Sequence, residues 1–314
     1  MTITTIGEVL MDMTQTFVDD TGVTHFAAIP GGAPLNVAVV GAKLGVETLF
    51  IGCVGDDTFG RQLRATMAKW GVRTDALQVT QEASTTLAIV TVDDQGERSF
   101  SFCRRPGADT RLDQARAVEA AAQADLLHFG SVSLSDPQSR QTVLSAVRAA
   151  KKAGALITYD PNYRASLWPD EETAIWEMRA PLPLCDIVKI SDEETTLRTG
   201  EADPRKAAEI LLAQGVKLAV VTLGAKGAYW RCGDLEGTQP GRQVKVADTN
   251  GAGDTFFGSF LTRIVKRGGL EGITADELND FVRYANLAAS ITTSRPGAIP
   301  AMPTLAEMEA ALQA

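Results

Sequence analysis

Asp248-Thr249-Asn250-Gly251-Ala252-Gly253-Asp254-Thr255-Phe256-Phe257-Gly258 is the most informative stretch of the 314-residue sequence. Two glycines flank Ala252 just ahead of an apolar helical pattern over residues 252–267, so unobstructed backbone N–H groups gather at a positive helix end. Such an end binds anions and stabilises oxygens that gain charge. Asp254 falls in the first turn, where it could accept a proton from a substrate hydroxyl while the N–H groups hold a transferring phosphoryl. An aspartate that only complements the helix dipole beside a glycine turn fits the same residues.

Two further glycine turns stand outward from it. Gly31-Gly32-Ala33-Pro34-Leu35-Asn36 opens a helix over residues 34–44; the glycines let a ligand approach the backbone, and Asn36 offers a donor and an acceptor to a polyol. A glycine turn with an exposed Asn reads the same way. Thr222-Leu223-Gly224-Ala225-Lys226-Gly227 follows a strand and could admit a nucleotide, although no Walker A loop is present. Asp12, at the end of a first strand over residues 2–11, could accept two sugar hydroxyls or be an ordinary loop carboxylate. Missing dinucleotide, nucleophile-elbow and protein-kinase signatures disfavour those classes.

Around these motifs strands and helices alternate. Strands are expected at 47–53, 77–79, 126–129, 156–159, 187–190 and 218–223, with helices at 58–70, 112–122, 137–152, 171–179 and 204–214. Further strands are expected around 229–230 and 244–246, then helices at 252–267 and 275–293. This alternation predicts an α/β fold, a doubly wound and mostly parallel sheet with helices on both faces. Two hairpins break the pattern, one over 14–18 and 23–28, the other over 84–92 and 97–104 with its turn at 93–96. They predict a small β lid of residues 13–28 and 84–105, leaving 1–12, 29–83 and 106–314 as a single core. Apolar Phe17, Val23, Phe26, Phe100 and Phe102 on such hairpins would suit a ligand or a homodimer through the lid.

Composition narrows the chemistry. Thirty Lys and Arg against 39 Asp and Glu give a formal charge of −9, which opposes nucleic-acid and anionic-membrane partners. Four separated cysteines and two histidines provide neither a zinc site nor histidine-based catalysis. No Lys or Arg precedes residue 43 and no apolar run is long enough to span a bilayer, so a cytoplasmic location is expected.

The glycine motifs, the hairpins, the 222–227 turn and the 286–300 tail occur in an order that resembles the ribokinase-like (PfkB) carbohydrate kinases, most closely fructokinases. Ser259 departs slightly from that family's second signature. The resemblance implies ATP and Mg²⁺ as cofactors, K⁺ in many relatives, and a small-molecule sugar as acceptor. It implies Asp254 as the base, with Gly251, Ala252 and Gly253 as the anion hole, and Asp12, Gly31, Gly32 and Asn36 on the sugar. Thr222, Gly224, Gly227, Asn286 and Lys189 fall at nucleotide-binding positions. Ser191 and Glu194 match a metal-associated pair, Glu194 reaching Mg²⁺ directly or through water. A monovalent cation would lie among Asp248, Asn250, Thr292, Arg295, Gly297 and Ala301.

Within that family, Asp160-Pro161-Asn162-Tyr163-Arg164 and Phe100–Asp109 are similar to fructokinase segments, with Cys103 replacing the usual Tyr. Arg104 and Arg164 then fall at substrate contacts, or remain surface arginines. The activity so implied is transfer of the ATP γ-phosphoryl to a primary hydroxyl of D-fructose. The alternatives are a 2-keto-3-deoxygluconate kinase, whose acidic substrate would pair with Arg104 and Arg164, another sugar or nucleoside kinase, and a non-catalytic sugar- or nucleotide-binding regulator.

Overall fold

The computed structural model describes residues 1–92 and 98–313. In chain order it runs β1 (Ile3–Ile6), β2 (Leu10–Val18), β3 (Thr24–Gly31), α1 (Ala33–Lys43), β4 (Thr48–Gly55), α2 (Thr58–Lys69), β5 (Leu77–Thr80), β6 (Thr86–Val92) and β7 (Arg98–Cys103). Then come α3 (Gln114–Ala121), β8 (Leu126–Gly130), α4 (Pro137–Ala153), β9 (Leu156–Asp160), α5 (Glu171–Arg179), β10 (Ile187–Ser191), α6 (Asp192–Thr199), α7 (Pro204–Ala213) and β11 (Leu218–Thr222). The chain closes with β12 (Ala228–Cys232), β13 (Leu235–Gln239), α8 (Ala252–Arg267), α9 (Ala275–Thr293) and α10 (Leu305–Gln313).

A nine-stranded sheet has the order β13-β12-β11-β10-β9-β8-β1-β4-β5, parallel from β11 to β5 and antiparallel at β12 and β13. Its strands are apolar at successive positions because helices cover both faces. Leu126, Ile187 and Val220 face α8 and α9, whereas their neighbours Leu127, Val188 and Val221 face α4 and α7. The fold is thus the α/β class expected, a largely parallel sheet wrapped on both sides.

The second sheet has the order β3-β2-β6-β7, in which β2 pairs antiparallel with β3 and parallel with β6. Its first strand starts earlier than the hairpin pattern suggests. Gly7 has φ 148°, and a Cβ there would stand 2.9 Å from Pro34 Cγ and Ser133 Oγ. The chain therefore leaves β1 at Ile6 and crosses to the small sheet at Leu10, so the single strand expected over 2–11 is two pieces. Asp12 accordingly lies inside β2, not at the end of the first core strand. Phe17, Val23 and Phe26 are exposed on this sheet. The turn expected at 93–96, with Glu97, lies outside the described residues, as does the side chain of Phe100.

Three other differences concern local signals. Residues 244–246 form no strand; the partner of β12 is β13, reached through a turn in which Gly233 has φ 56°. The helix α6 has no strong apolar stripe, but Ser191 and Glu194 form a capping box at its start. The helix α10 buries only Met308 among its residues, so its periodicity is weak.

Close approach of α1 to α8 unites the two glycine motifs. A Cβ on Gly258 would lie 2.9 Å from Val40 Cβ and 3.2 Å from the Val37 carbonyl oxygen. Gly258→Ala should therefore force the helices apart and cost about 1–3 kcal/mol of stability. Denaturant unfolding measures it; a midpoint equal to wild type would show that the contact can relax freely.

Candidate active site

The carboxyl ends of β1, β9, β10 and β11 form the edge on which ligands bind in open α/β sheets. Over that edge stands the start of α8. Gly251 caps it with φ 72°, and a Cβ there would approach Ala298 Cβ to 2.9 Å, so glycine both makes the turn and admits the 297–302 loop. The N–H groups of this first turn point away from the helix, and Asp254 is buried among them.

Asn36, on α1, donates from Nδ2 to Asp254 Oδ2 at 2.7 Å. Because a carboxylate only accepts, this contact fixes the amide's orientation. Asn36 Oδ1 is left buried with no hydrogen-bond partner. An orphaned acceptor beside a cleft calls for a ligand hydroxyl. Burial raises the Asp254 pKa above the usual carboxylate range, opposed by the Asn36 bond and by the charges of Lys189 and Arg164. A carboxylate shifted toward neutrality is a better proton acceptor at working pH.

Asp254, Asn36, Asp12, Gly32, Arg164 and Asn250 all line one recess. Asp12 is hydrogen-bonded to Asn250 and raised to about 6 by burial, with Asp254 and Asp248 adding to the rise and Arg164 opposing it. Gly31 does not line the recess; its Cα lies against the Asp12 carboxylate, where a side chain would collide. Gly32 has φ 108° and passes the Glu8 carbonyl so closely that a Cβ would come within 2.6 Å. Asn162 and Phe102, from segments singled out in the sequence, also line the recess, as does Glu8, which the sequence reading did not pick out. Glu8 accepts from the Ala33 N–H and the Ser133 hydroxyl and is pushed by burial to about 7. A charged residue inside the apolar run Ile6–Leu10 was the available signal. Arg104 is not on the wall of this recess. Its guanidinium is paired with Asp109.

Lys189 is not on the wall of the nucleotide-side groove but lies beneath the first turn of α8, its Nζ 3.2 Å from where a Gly253 Cβ would be. Its Nζ donates to Asp160 Oδ2 at 2.7 Å. Burial would lower its pKa, yet the carboxylates of Asp160, Glu194 and Asp254 outweigh that and keep it charged.

On the other side of the first turn of α8 opens a groove of about 420 Å³, a size usual for ligand clefts. Thr222, Gly224, Gly227, Ala252, Gly253 and Asn286 line it. Asn286 donates to the carbonyls of Gln239 and Pro240, fixing the strand end that borders the groove. Val244 and Val246 supply an apolar wall, which explains why that β-branched pair is exposed rather than part of a sheet.

The residues fit the two implied cations differently. Among the described residues no cluster of three or more acidic, His or Cys side chains could hold a metal. Glu194 accepts from the Tyr163 and Ser191 N–H groups and pairs with Arg198 at 3.3 Å, so its oxygens are already engaged. A Mg²⁺ ion carried by nucleotide phosphates fits this arrangement, with Glu194 acting through water. For a monovalent cation, Asp248 joins the Asn250 and Gly297 N–H groups, and the Ala247 and Asp248 N–H groups bond the Thr293 carbonyl. Arg295 turns to Glu307 at 2.7 Å and Thr292 Oγ1 to Thr255, so their side chains point elsewhere and backbone carbonyls remain as donors.

Residues 2–305 match the model of the pfkB family carbohydrate kinases. The chain belongs to that family. It is 40% identical to the probable fructokinase-5 of Arabidopsis thaliana over 98% of this chain and 96% of that one, and 38% identical to fructokinase-2 of Oryza sativa subsp. japonica over 97% and 91%. A crystal structure of fructokinase from Vibrio cholerae O395, in a fructose-, ADP- and calcium-bound form, superposes with TM-score 0.89 at 30% identity, covering 99% and 98% of the chains. The ATP-bound fructokinase of Xylella fastidiosa gives 0.87 at 33%, with the same coverage. The protein is a sugar phosphotransferase, and no helix among its described residues is long and apolar enough to cross a membrane.

The position of Asp12 predicts a pH dependence. With its pKa raised to about 6, the carboxyl is protonated below that pH and loses acceptor capacity for hydroxyls. The acceptor KM should climb as pH falls through about 6. Asp12→Asn should raise KM at pH 7.5 by about 10–100-fold and flatten that climb. An undiminished climb in the variant would place the titration on another group.

Proposed function

We propose that the protein is an ATP-dependent fructokinase in which Asp254 is the general base and the Gly251–Gly253 backbone is the anion hole. The observation that carries this reading is convergence: a recess lined by Asp12, Asn36, Arg164 and Asn250 and a larger groove lined by the 222–227 turn meet on opposite sides of one helix start, with Asp254 on the recess wall and Gly253 on the groove wall. The acceptor hydroxyl oxygen attacks the γ-phosphorus, its proton passes to Asp254, and ADP leaves. Amides at the helix start and the Lys189 ammonium face the phosphoryl oxygens as charge spreads over them. Magnesium would accompany the triphosphate and neutralise part of its charge.

Fructose fits the recess through Asp12, the free Asn36 oxygen, Arg164 and the backbone at Gly32. The names and bound ligands of the fructokinase relatives support fructose as the acceptor. The small sheet carries Asp12 on β2 and Phe102 on β7, so we assign it as a lid that seals the sugar from water, a competing phosphoryl acceptor.

A coupled ADP-release assay over fructose, 2-keto-3-deoxygluconate, ribose and adenosine, with and without K⁺, tests the reading. Fructose should give kcat/KM at least about tenfold above the others. Preference for another acceptor would overturn the substrate, and no ADP release with any of them would favour a binding protein without turnover.

A further inference from the structure

Both Arg104 and Arg164 are expected from sequence to reach the acceptor, and a sugar acid would need such a cation for its carboxylate. The structure has already committed Arg104. Its Nε donates to Asp109 Oδ2 at 2.7 Å, its Nη2 lies in ion-pair contact with the same oxygen without a hydrogen bond, between side chains only 6% and 0% exposed, and its Nη1 donates to Ser135 Oγ at 2.8 Å. Asp109 is fixed in turn by the Thr86 hydroxyl on its other oxygen. Gly107 completes the clamp, since a Cβ there would stand 2.7 Å from Asp109 Oδ1 and 2.8 Å from Arg104 Cγ.

Thr86, which holds Asp109, pairs with Leu10 across β6 and β2, and Phe102 stands two residues before Arg104; Leu10 and Phe102 both line the acceptor recess, so the pair adjoins it. Both of its charges are felt by Glu8, which lines that recess, with Arg104 favouring the Glu8 carboxylate and Asp109 opposing it. Inside the recess stand three carboxyl groups, Glu8, Asp12 and Asp254, and the Arg164 charge acts on two of them. An incoming carboxylate would meet like charge there, while Lys189 and Arg104 are each paired with a carboxylate, Asp160 and Asp109.

We propose that Asp109 is a specificity-determining positioning residue: by pairing with Arg104 it withholds that cation from the acceptor recess and restricts the enzyme to neutral polyols over sugar acids. This deepens the sugar-kinase reading above and rests on it. Removal of the Asp109 charge should free the guanidinium to swing toward Glu8 and a substrate carboxylate.

Asp109→Asn keeps the side chain's shape and its bond to Thr86 while removing the charge. In the ADP-release assay with the whole chain, the ratio of kcat/KM for 2-keto-3-deoxygluconate to that for fructose should rise at least about tenfold over wild type. The double variant Arg104→Gln/Asp109→Asn, which also removes the released cation, should return the ratio to the wild-type value. A ratio in Asp109→Asn within about twofold of wild type, or raised equally in the double variant, overturns the proposal. A purely structural role for the pair would lower both activities together and leave their ratio in place, which also overturns it.

A measurement on the wild type covers the case in which the variants fail to fold. Gluconate should inhibit fructose turnover at least about tenfold more weakly than the neutral glucitol of the same carbon skeleton. Equal or tighter inhibition by the acid contradicts the proposal. A wild type that turns over no neutral sugar at all would overturn the kinase reading first, and is told apart because it needs no variant to be seen.

Discussion

Asn36 and Asp254 are 218 residues apart in sequence and 2.7 Å apart in space, and the site depends on that hydrogen bond. It ties the first turn of α1 to the first turn of α8, so the recess beside Asn36 and the glycine turn before α8 are held in one register. Gly258 makes the bond possible by letting the two helices touch along Val37 and Val40. A hydrogen bond to an ionised acceptor is worth about 1.5–3 kcal/mol, enough to orient the carboxylate that the proposed chemistry needs. The same bond leaves Asn36 Oδ1 without a partner, so the arrangement that orients Asp254 also leaves an unpaired acceptor beside the recess.

Charge is handled locally. In a protein of formal charge −9, the edge of the recess gathers a helix start and the buried Lys189 ammonium. Lys189 stays charged because Asp160, Glu194 and Asp254 surround it, and it keeps those carboxylates from repelling one another. Opposite signs are thereby interleaved: amides and Lys189 where phosphate oxygens would come, carboxylates and asparagines where hydroxyls would come. Arg104 is the cation this division sets aside, neutralised by Asp109 at the base of the small sheet.

Much of this was legible because the informative signals are local. The glycine turns, the helix boundaries at 252–267 and 275–293, and the alternation of strands and helices depend on neighbours in sequence, and the structure has the elements where those patterns put them. What was not legible depends on distant partners. Residues 244–246 have the β-branched composition of a strand but meet no strand, only a groove wall. Gly7 ends β1 because of Pro34 and Ser133, which nothing nearby in sequence discloses. Lys189 is separated from Asp160 by 29 residues, and Glu194 accepts from the Tyr163 N–H 31 residues away. Arg104 and Asp109 are only five residues apart, yet their pairing requires a glycine between them, because a Cβ at Gly107 would crowd both side chains.

In the proposed reaction Asp254 accepts the proton of the acceptor hydroxyl in a pocket that other residues have already shaped. Steady-state kinetics of Asp254→Asn, with fructose affinity measured separately by calorimetry, tests it most directly. The account predicts a fall in kcat of roughly 10²–10⁴ with fructose binding changed by no more than about threefold, because the variant keeps the side chain's size and position. Turnover near that of the wild type would contradict the account.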